Sequence, residues 1–191
     1  MSVELEQSSN GGASDESGPV HSAPVFEKEQ DVTATPLLAH VPHVAARLVE
    51  YANGRHIALP PHTTYALATQ PAFDAVPGGA HYAYGLLTWQ GARLPLLNLD
   101  ALLHAEPSSV LSIAPRYALI VAYQSVALGP LAFGAIGMDS MPQTVAISDE
   151  AHCALPCDSS LWPQLALSCF EHEGAAVPIL DTARLFTAYH G

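Results

Sequence analysis

Gly91-Ala-Arg-Leu-Pro-Leu-Leu-Asn-Leu-Asp-Ala-Leu-Leu103 returns 83 residues later as Gly174-Ala-Ala-Val-Pro-Ile-Leu-Asp-Thr-Ala-Arg-Leu-Phe186. Gly91/Gly174, Ala92/Ala175, Pro95/Pro178, Leu97/Leu180 and Leu102/Leu185 are identical. Asn98 and Asp181 also correspond, and both residue types cap helix N-termini by accepting a hydrogen bond from an otherwise unpaired N–H of the first turn. Each copy reads as a turn glycine, a short apolar strand, a cap and a short helix. Solenoid repeats run to about 20 to 50 residues, so the longer spacing points to two related β subdomains.

Working outward, Gly85-Leu-Leu-Thr-Trp-Gln90 precedes the first copy, and a hairpin follows if Gln90-Gly91 makes the turn, glycine supplying the positive φ. That register sets Trp89 opposite Ala92, Leu87 opposite Leu94 and Gly85 opposite Leu96 on an apolar face. Thr88 and Arg93 fall on the other, wetter face. A second hairpin is expected from Leu165 to Glu173, turning at Glu173-Gly174.

These residues carry a family resemblance. Leu86-Leu-Thr-Trp-Gln-Gly-Ala-Arg-Leu-Pro-Leu-Leu-Asn-Leu-Asp100 resembles the signature of CheW-like domains, the chemotaxis coupling proteins, and Val177 to Phe186 is similar to that family's C-terminal close. The similarity spans roughly Ala45 to Ala188. The family's usual Asn, Arg and first Asp are here Thr88, Gln90 and Asn98. The resemblance implies an all-β fold of two small five-stranded SH3-like barrels packed together, with short helices after the repeated hairpins. It also implies a non-enzymatic, cytoplasmic adaptor or scaffold of a bacterial two-component system, coupling chemoreceptor tips to the CheW-like regulatory domain of a chemotaxis-type histidine kinase. Relatives serving pilus-based twitching motility fit the divergent motif at least as well. Partner contact is expected at Tyr84, Trp89, Gln90, Gly91 and Arg93, because aromatic residues and arginine are enriched at binding hot spots. Gly91, Pro95, Asn98, Gly174, Pro178 and Asp181 are expected to shape the two motifs.

Composition narrows the alternatives. The 191 residues are 49% apolar and only 13% charged, so much of the chain is expected to be hidden in a core or against partners. Eighteen acidic groups face six basic ones, with Lys28 the single lysine. That balance argues against nucleic acid, whose binding is driven by Lys and Arg neutralising phosphates. The first thirty residues lack a basic start followed by an apolar run, which predicts a cytosolic chain. Residues 1–36 read as a disordered acidic tail, since the stretch up to Val32 holds seven acidic residues and too little apolar surface to offset ordering entropy. Residues 37–191 read as the folded domain.

Along that domain, Thr33 to Ala46 carries Pro36 and Pro42 and is expected as an extended lead-in suited to covering a sheet edge. Arg47 to Tyr51 and Arg55 to Leu59 form a hairpin about Asn53-Gly54. Thr63 to Thr69 is a strand, Pro71 to Gly79 a loop. Tyr117 to Met138 runs 22 residues without a charge, long enough to span a bilayer, yet Gln124-Ser125 and Gly129-Pro130 divide it into two core strands. Pro142 to Ile147 adds a strand, Ser148 to Trp162 is a loop, and Tyr189 to Gly191 is expected to fray.

No Gly-x-Ser-x-Gly elbow occurs, and Gly78-Gly79 is not followed by Gly-Lys-Ser/Thr, so neither a hydrolase nucleophile nor a phosphate loop is indicated. Cys153, Cys157, Cys169 and His172 supply soft ligands, and the alternative reading is a small metal-binding or hydrolytic β-barrel protein using Cys153, Cys157 and His172. Residues three apart on a strand point to opposite faces, which works against Cys169 and His172 converging. No metal or cofactor is expected.

Overall fold

The computed structural model of the chain describes residues 43–104 and 114–188. The expected tail, the lead-in as far as Pro42 and the fraying end lie outside the described residues. In chain order come β1 (His43–Ala52), β2 (Arg55–Leu59), β3 (Thr64–Thr69), β4 (Phe73–Asp74), β5 (Ala83–Trp89), β6 (Ala92–Leu97), α1 (Leu99–His104), β7 (Tyr117–Tyr123), β8 (Ala132–Met138), β9 (Gln143–Ser148), α2 (Trp162–Leu165), β10 (Ala166–His172), β11 (Ala175–Leu180) and α3 (Thr182–Ala188). The uncharged run is indeed two strands, β7 and β8. Among the described residues, no helix is long and apolar enough to cross a membrane.

The strands form two sheets, ordered β10-β11-β2-β1-β9 and β3-β7-β8-β6-β5-β4. Matching β5 with β10, β6 with β11, β8 with β2, β7 with β1 and β3 with β9 makes the two orders the same. Only the threading differs. The second sheet is one contiguous stretch of chain, whereas the first takes its β1–β2 hairpin from the start of the domain and its other strands from the end. We refer to them as the contiguous barrel and the split barrel.

The repeat holds down to single hydrogen bonds. In the contiguous barrel Trp89 faces Ala92, Leu87 faces Leu94 and Leu86 faces Pro95, with a register shift between Ala83 and Gly85. In the split barrel His172 faces Ala175, Phe170 faces Val177 and Cys169 faces Pro178, with the shift between Ala166 and Ser168, the same places in the repeat. Each proline precedes a short parallel ladder, Leu96 to Ala135 in one barrel and Ile179 to Ala58 in the other. A residue lacking an N–H is accommodated where the ladder has not yet begun. The caps behave as expected: Asn98 Oδ1 accepts from the Ala101 N–H at 3.1 Å, and Asp181 Oδ1 accepts from the N–H groups of Ala183 and Arg184 at 2.9 and 3.1 Å.

Three elements depart from the expectation. Strand β1 begins at His43, inside the expected lead-in, because its first residues pair with β9. The loop from Pro71 contains β4, which pairs Phe73 with Leu87 and Asp74 with Leu86. This sixth strand is the bent continuation of β3, crossing from one edge of the sheet to the other, so it closes a five-stranded barrel. Gly85 makes the approach possible: its φ is +145°, and a Cβ there would stand 2.2 Å from the Asp74 carbonyl oxygen. The split barrel closes in the same way, through a bridge of His152 to Phe170 at the equivalent position. Third, the loop before the second hairpin ends in the short helix α2, whose Trp162 and Leu165 are buried.

The core falls into three parts. Leu87, Leu94, Leu96, Ala118, Ile120 and Ala135 fill the contiguous barrel, and Ala46, Leu48, Ala58, Phe170 and Val177 the split one. The largest cluster joins the barrels, bringing Val49, Ile57 and Leu59 together with Leu119, Val121 and Ile136 around residues of all three helices. Phe186 of α3 lies fully buried here, its ring stacked on Tyr123 at 5.2 Å and seated against Gly134 of β8. A Cβ at position 134 would come 2.1 Å from the ring. Gly134→Ala should therefore destabilise the protein by about 1–3 kcal/mol through overpacking. Adding Phe186→Leu should recover part of the loss, read as melting temperatures of the three proteins; no drop in Gly134→Ala would refute this account of the joint.

Candidate functional site

The exposed end of the β5–β6 hairpin is a two-residue turn with both residues left-handed, Gln90 at φ 49° and Gly91 at φ 80°. Such a turn matches the twist of the strands it joins. Glu173 and Gly174 repeat it at 51° and 78°. Gln90, Gly91 and Arg93 are exposed, and Trp89 is half-buried. The Trp89 ring meets Tyr65 of β3 at 5.4 Å, near perpendicular, and Phe133 of β8 at 5.2 Å; Tyr65 and Phe133 are 5.1 Å apart. Edge-to-face geometry of this kind adds about 0.5–1.5 kcal/mol per pair beyond area burial. The trio draws edge strand β3 towards β5, and leaves Tyr65 59% exposed beside the turn. Sequence reasoning named Trp89 but missed Tyr65 and Phe133, whose meeting depends on strand order.

Arg93 Nη2 forms an exposed ion pair with Asp74 Oδ2 at 3.0 Å, linking β6 to β4 across β5. In water such a pair contributes about 0–1 kcal/mol, so the guanidinium can be redirected to a partner at small cost.

Tyr84 is not brought to the turn. Five residues away along β5, roughly 17 Å by strand rise, its ring lies beside Phe73 at 5.9 Å and against Gly137, where a Cβ would stand 2.6 Å from it. Burial, with the charges of Asp139 and Asp100, pushes its hydroxyl up to about 12. It lines a hollow whose floor is Gly85, Leu86 and Pro95 and whose rim is the loop from Ala75 to His81.

A polar network that the sequence did not reveal lies where the β1–β2 hairpin, α1 and the loop before α2 meet. Arg55 Nη1 stands 3.3 Å from Asp100 Oδ1 and 2.7 Å from His104 Nε2, while His104 Nδ1 lies 3.0 Å from Asp100 Oδ1. Asp158 Oδ1 accepts from the Trp162 indole N–H at 2.7 Å, and its other oxygen is 3.6 Å from His104 Nε2. Burial raises the Asp158 carboxyl, but the indole N–H, His104 and Arg55 outweigh it and leave it below the usual range. Tyr51, beside this group, is pushed up to about 12 by burial and the Asp158 charge. The network fastens α1 to its surroundings; apart from the local pairs Asp100–His104 and Asp158–Trp162, its partners converge only after folding, from residues 45 to 54 apart in sequence.

The Cys/His constellation is not assembled as a ligand set. Cys153 and Cys169 sulfurs are 3.4 Å apart, whereas Cys157 is exposed and His172 sits by Phe170, with ring centroids 6.3 Å apart. Among the described residues, no group of three or more His, Cys, Asp and Glu is placed to hold a metal ion.

Among solved structures, the chain is similar to the crystal structure of the scaffolding protein TtCheW from Thermoanaerobacter tengcongensis, with a TM-score of 0.55 at 10% identity over 76% of this chain and 93% of that one. At that identity the fold is what the two share. No protein-family model and no curated protein matches the sequence.

Two measurements follow from this geometry. Gly91→Val puts a branched side chain at φ 80° with nothing near its Cβ, so backbone strain alone should destabilise by about 1–2 kcal/mol. Gln90→Arg should change stability by under about 0.5 kcal/mol; equal melting temperatures for both variants and the parent would contradict the turn assignment. For Tyr84, a hydroxyl raised in the folded state keeps its proton while the unfolded chain loses its own near pH 10. Its contribution is thus present below pH 10 and is lost as pH rises towards 12. Tyr84→Phe should flatten that alkaline fall in denaturant midpoints, and an unchanged slope would count against the buried placement.

Proposed function

We propose that the chain is a non-enzymatic signalling adaptor that joins the cytoplasmic tips of chemoreceptors to a chemotaxis-type histidine kinase. The observation carrying this reading is the two-barrel path, which follows 93% of a scaffolding protein's chain. The doubled Gly-Pro-Asx motif supports it independently from the sequence. Such an adaptor acts through two interfaces on one rigid body, so that receptor state biases kinase activity by differential contact rather than by chemistry. Its setting is the bacterial cytoplasm, in a swimming-chemotaxis or a pilus-motility pathway.

One contact surface in this reading is the Trp89-Gln90-Gly91 turn with Arg93 beside it and Tyr65 as a further aromatic anchor. Tyr84 serves the barrel behind it. Neutral Gln90 and the easily redirected Arg93 give the surface a weaker positive character than an arginine at position 90 would provide.

The test is calorimetric titration against the CheW-like regulatory domain of the chemotaxis-type kinases encoded in the same cell. Binding to at least one is expected, and Gln90→Arg should shift affinity or kinase choice without altering the melting temperature. The absence of binding to every such domain would defeat the adaptor reading. Binding that is indifferent to Gln90→Arg, Gln90→Ala and Tyr65→Ala would defeat only the placement of the interface.

A further inference from the structure

The split barrel is closed at a seam that holds two thiols face to face. After β9 the chain turns through Asp149–Ala151 and reaches the free edge of β10, where the bridge of His152 to Phe170 completes the ring of strands. The neighbouring residues on the two segments are Cys153 and Cys169. The Cys153 N–H donates to the Cys169 carbonyl at 3.1 Å, and the two sulfurs are 3.4 Å apart. At the equivalent seam of the contiguous barrel the same two positions are Asp74 and Leu86, so nothing in the closure itself requires cysteines.

We propose that Cys153 and Cys169 are an oxidation site, in which a hydroperoxide converts the facing thiols to a disulfide that locks the seam of the split barrel. Three observations give the order of events. Cys153 is partly exposed on the closing segment, while Cys169 is buried beneath it. Burial and the neighbouring sulfur push the Cys169 thiol up to about 12, so Cys169 keeps its proton and the more exposed Cys153 is the sulfur that meets the oxidant. Directly opposed cysteines in an antiparallel pair have Cβ atoms about 4.5–5.5 Å apart, close to disulfide reach. Covalent closure therefore needs a small side-chain adjustment and no rethreading.

The chemistry balances in two steps. The Cys153 thiolate attacks the outer peroxide oxygen, the O–O bond breaks, and the peroxide leaves as an alcohol, or as water from hydrogen peroxide, once protonated; Cys153 is then a sulfenic acid. The Cys169 sulfur attacks the Cys153 sulfur, the S–O bond breaks, and the departing hydroxide takes the Cys169 proton to leave as water. Two electrons pass from the thiol pair to the peroxide, and a dithiol reductant returns them.

The consequence extends beyond the seam. The segment from Cys153 runs to Asp158 and Ser159, and Ser159 Oγ donates to the Leu103 carbonyl at 2.7 Å while Asp158 holds Trp162 and faces His104. Locking its first residue to β10 shortens the leash on a loop whose other end grips α1. Oxidation would thereby stiffen the joint between the two barrels as well as the split barrel.

The experiment uses the full chain, treated with stoichiometric hydrogen peroxide at neutral pH and mapped by mass spectrometry of peptides without reduction. A Cys153–Cys169 crosslink should form, reverse with dithiothreitol, and raise the melting temperature by roughly 5–10 °C, as closing a loop of this length does. Cys157→Ser should preserve both effects and Cys153→Ser should abolish both; the two positions are exposed or partly so, and neither variant disturbs the core. A Cys153–Cys157 linkage, or Cys153 accumulating as sulfinic acid while Cys169 stays reduced, would overturn the proposal. Crosslinking with no rise in melting temperature would overturn the locking of the seam.

Discussion

The body of this protein depends on two short helices that each pack away from the barrel whose hairpin precedes them. Helix α1 follows the contiguous barrel's hairpin yet packs on β1 of the split barrel, and α3 follows the split barrel's hairpin yet packs on β7. Each helix has six or seven residues, too short to be stable alone. Burial holds them: Leu99, Leu102, Leu103, Leu185 and Phe186 are all at most 5% exposed. At about 1.5–3 kcal/mol per fully buried large apolar side chain, these residues outweigh any intrinsic helix preference. The barrels cannot separate without stripping both helices, so two small closed sheets behave as one body.

That exchange explains why the motif repeats as it does. A turn glycine sets the hairpin twist, a proline leaves the strand free to swing into a parallel ladder one residue later, and an Asx cap starts a helix within a further three. The sequence of events is short-range, so it is written in adjacent letters. Register, both turns, both caps and the two strands of the uncharged run were readable for this reason. What escaped reading was settled at a distance. Strand β4 exists because Gly85 admits the Asp74 carbonyl, and His43 begins a strand because β9 arrives a hundred residues later to pair with it. The Asn53-Gly54 turn was placed correctly, but only Gly54 takes the positive φ, and a register shift follows at Tyr51.

The candidate site shows the same division. Trp89, Gln90, Gly91 and Arg93 lie together because they flank one turn. Tyr84 looked like part of that group from its aromatic character, and a strand's rise carried it to a different wall of the barrel. Tyr65 and Phe133 joined Trp89 from strands that no local pattern relates. The thiols show the converse: their metal reading came from spacing along the chain, while their actual relation is a cross-strand pair at a seam.

The unequal threading of the two barrels bears on how the chain is made. All strands of the contiguous barrel lie between Thr64 and Met138, so a ribosome that has delivered them has delivered a closable unit. The β1–β2 hairpin emerges earlier still, but its partners β9 and β11 arrive last, and until β9 is made both of its edges are open. An isolated two-stranded hairpin is marginal in water, and unpaired strand edges are the sites at which nascent chains join one another. Synthesis thus leaves an interval, from Met138 to Leu180, in which half of the molecule is finished and the other half waits for its own closing segment.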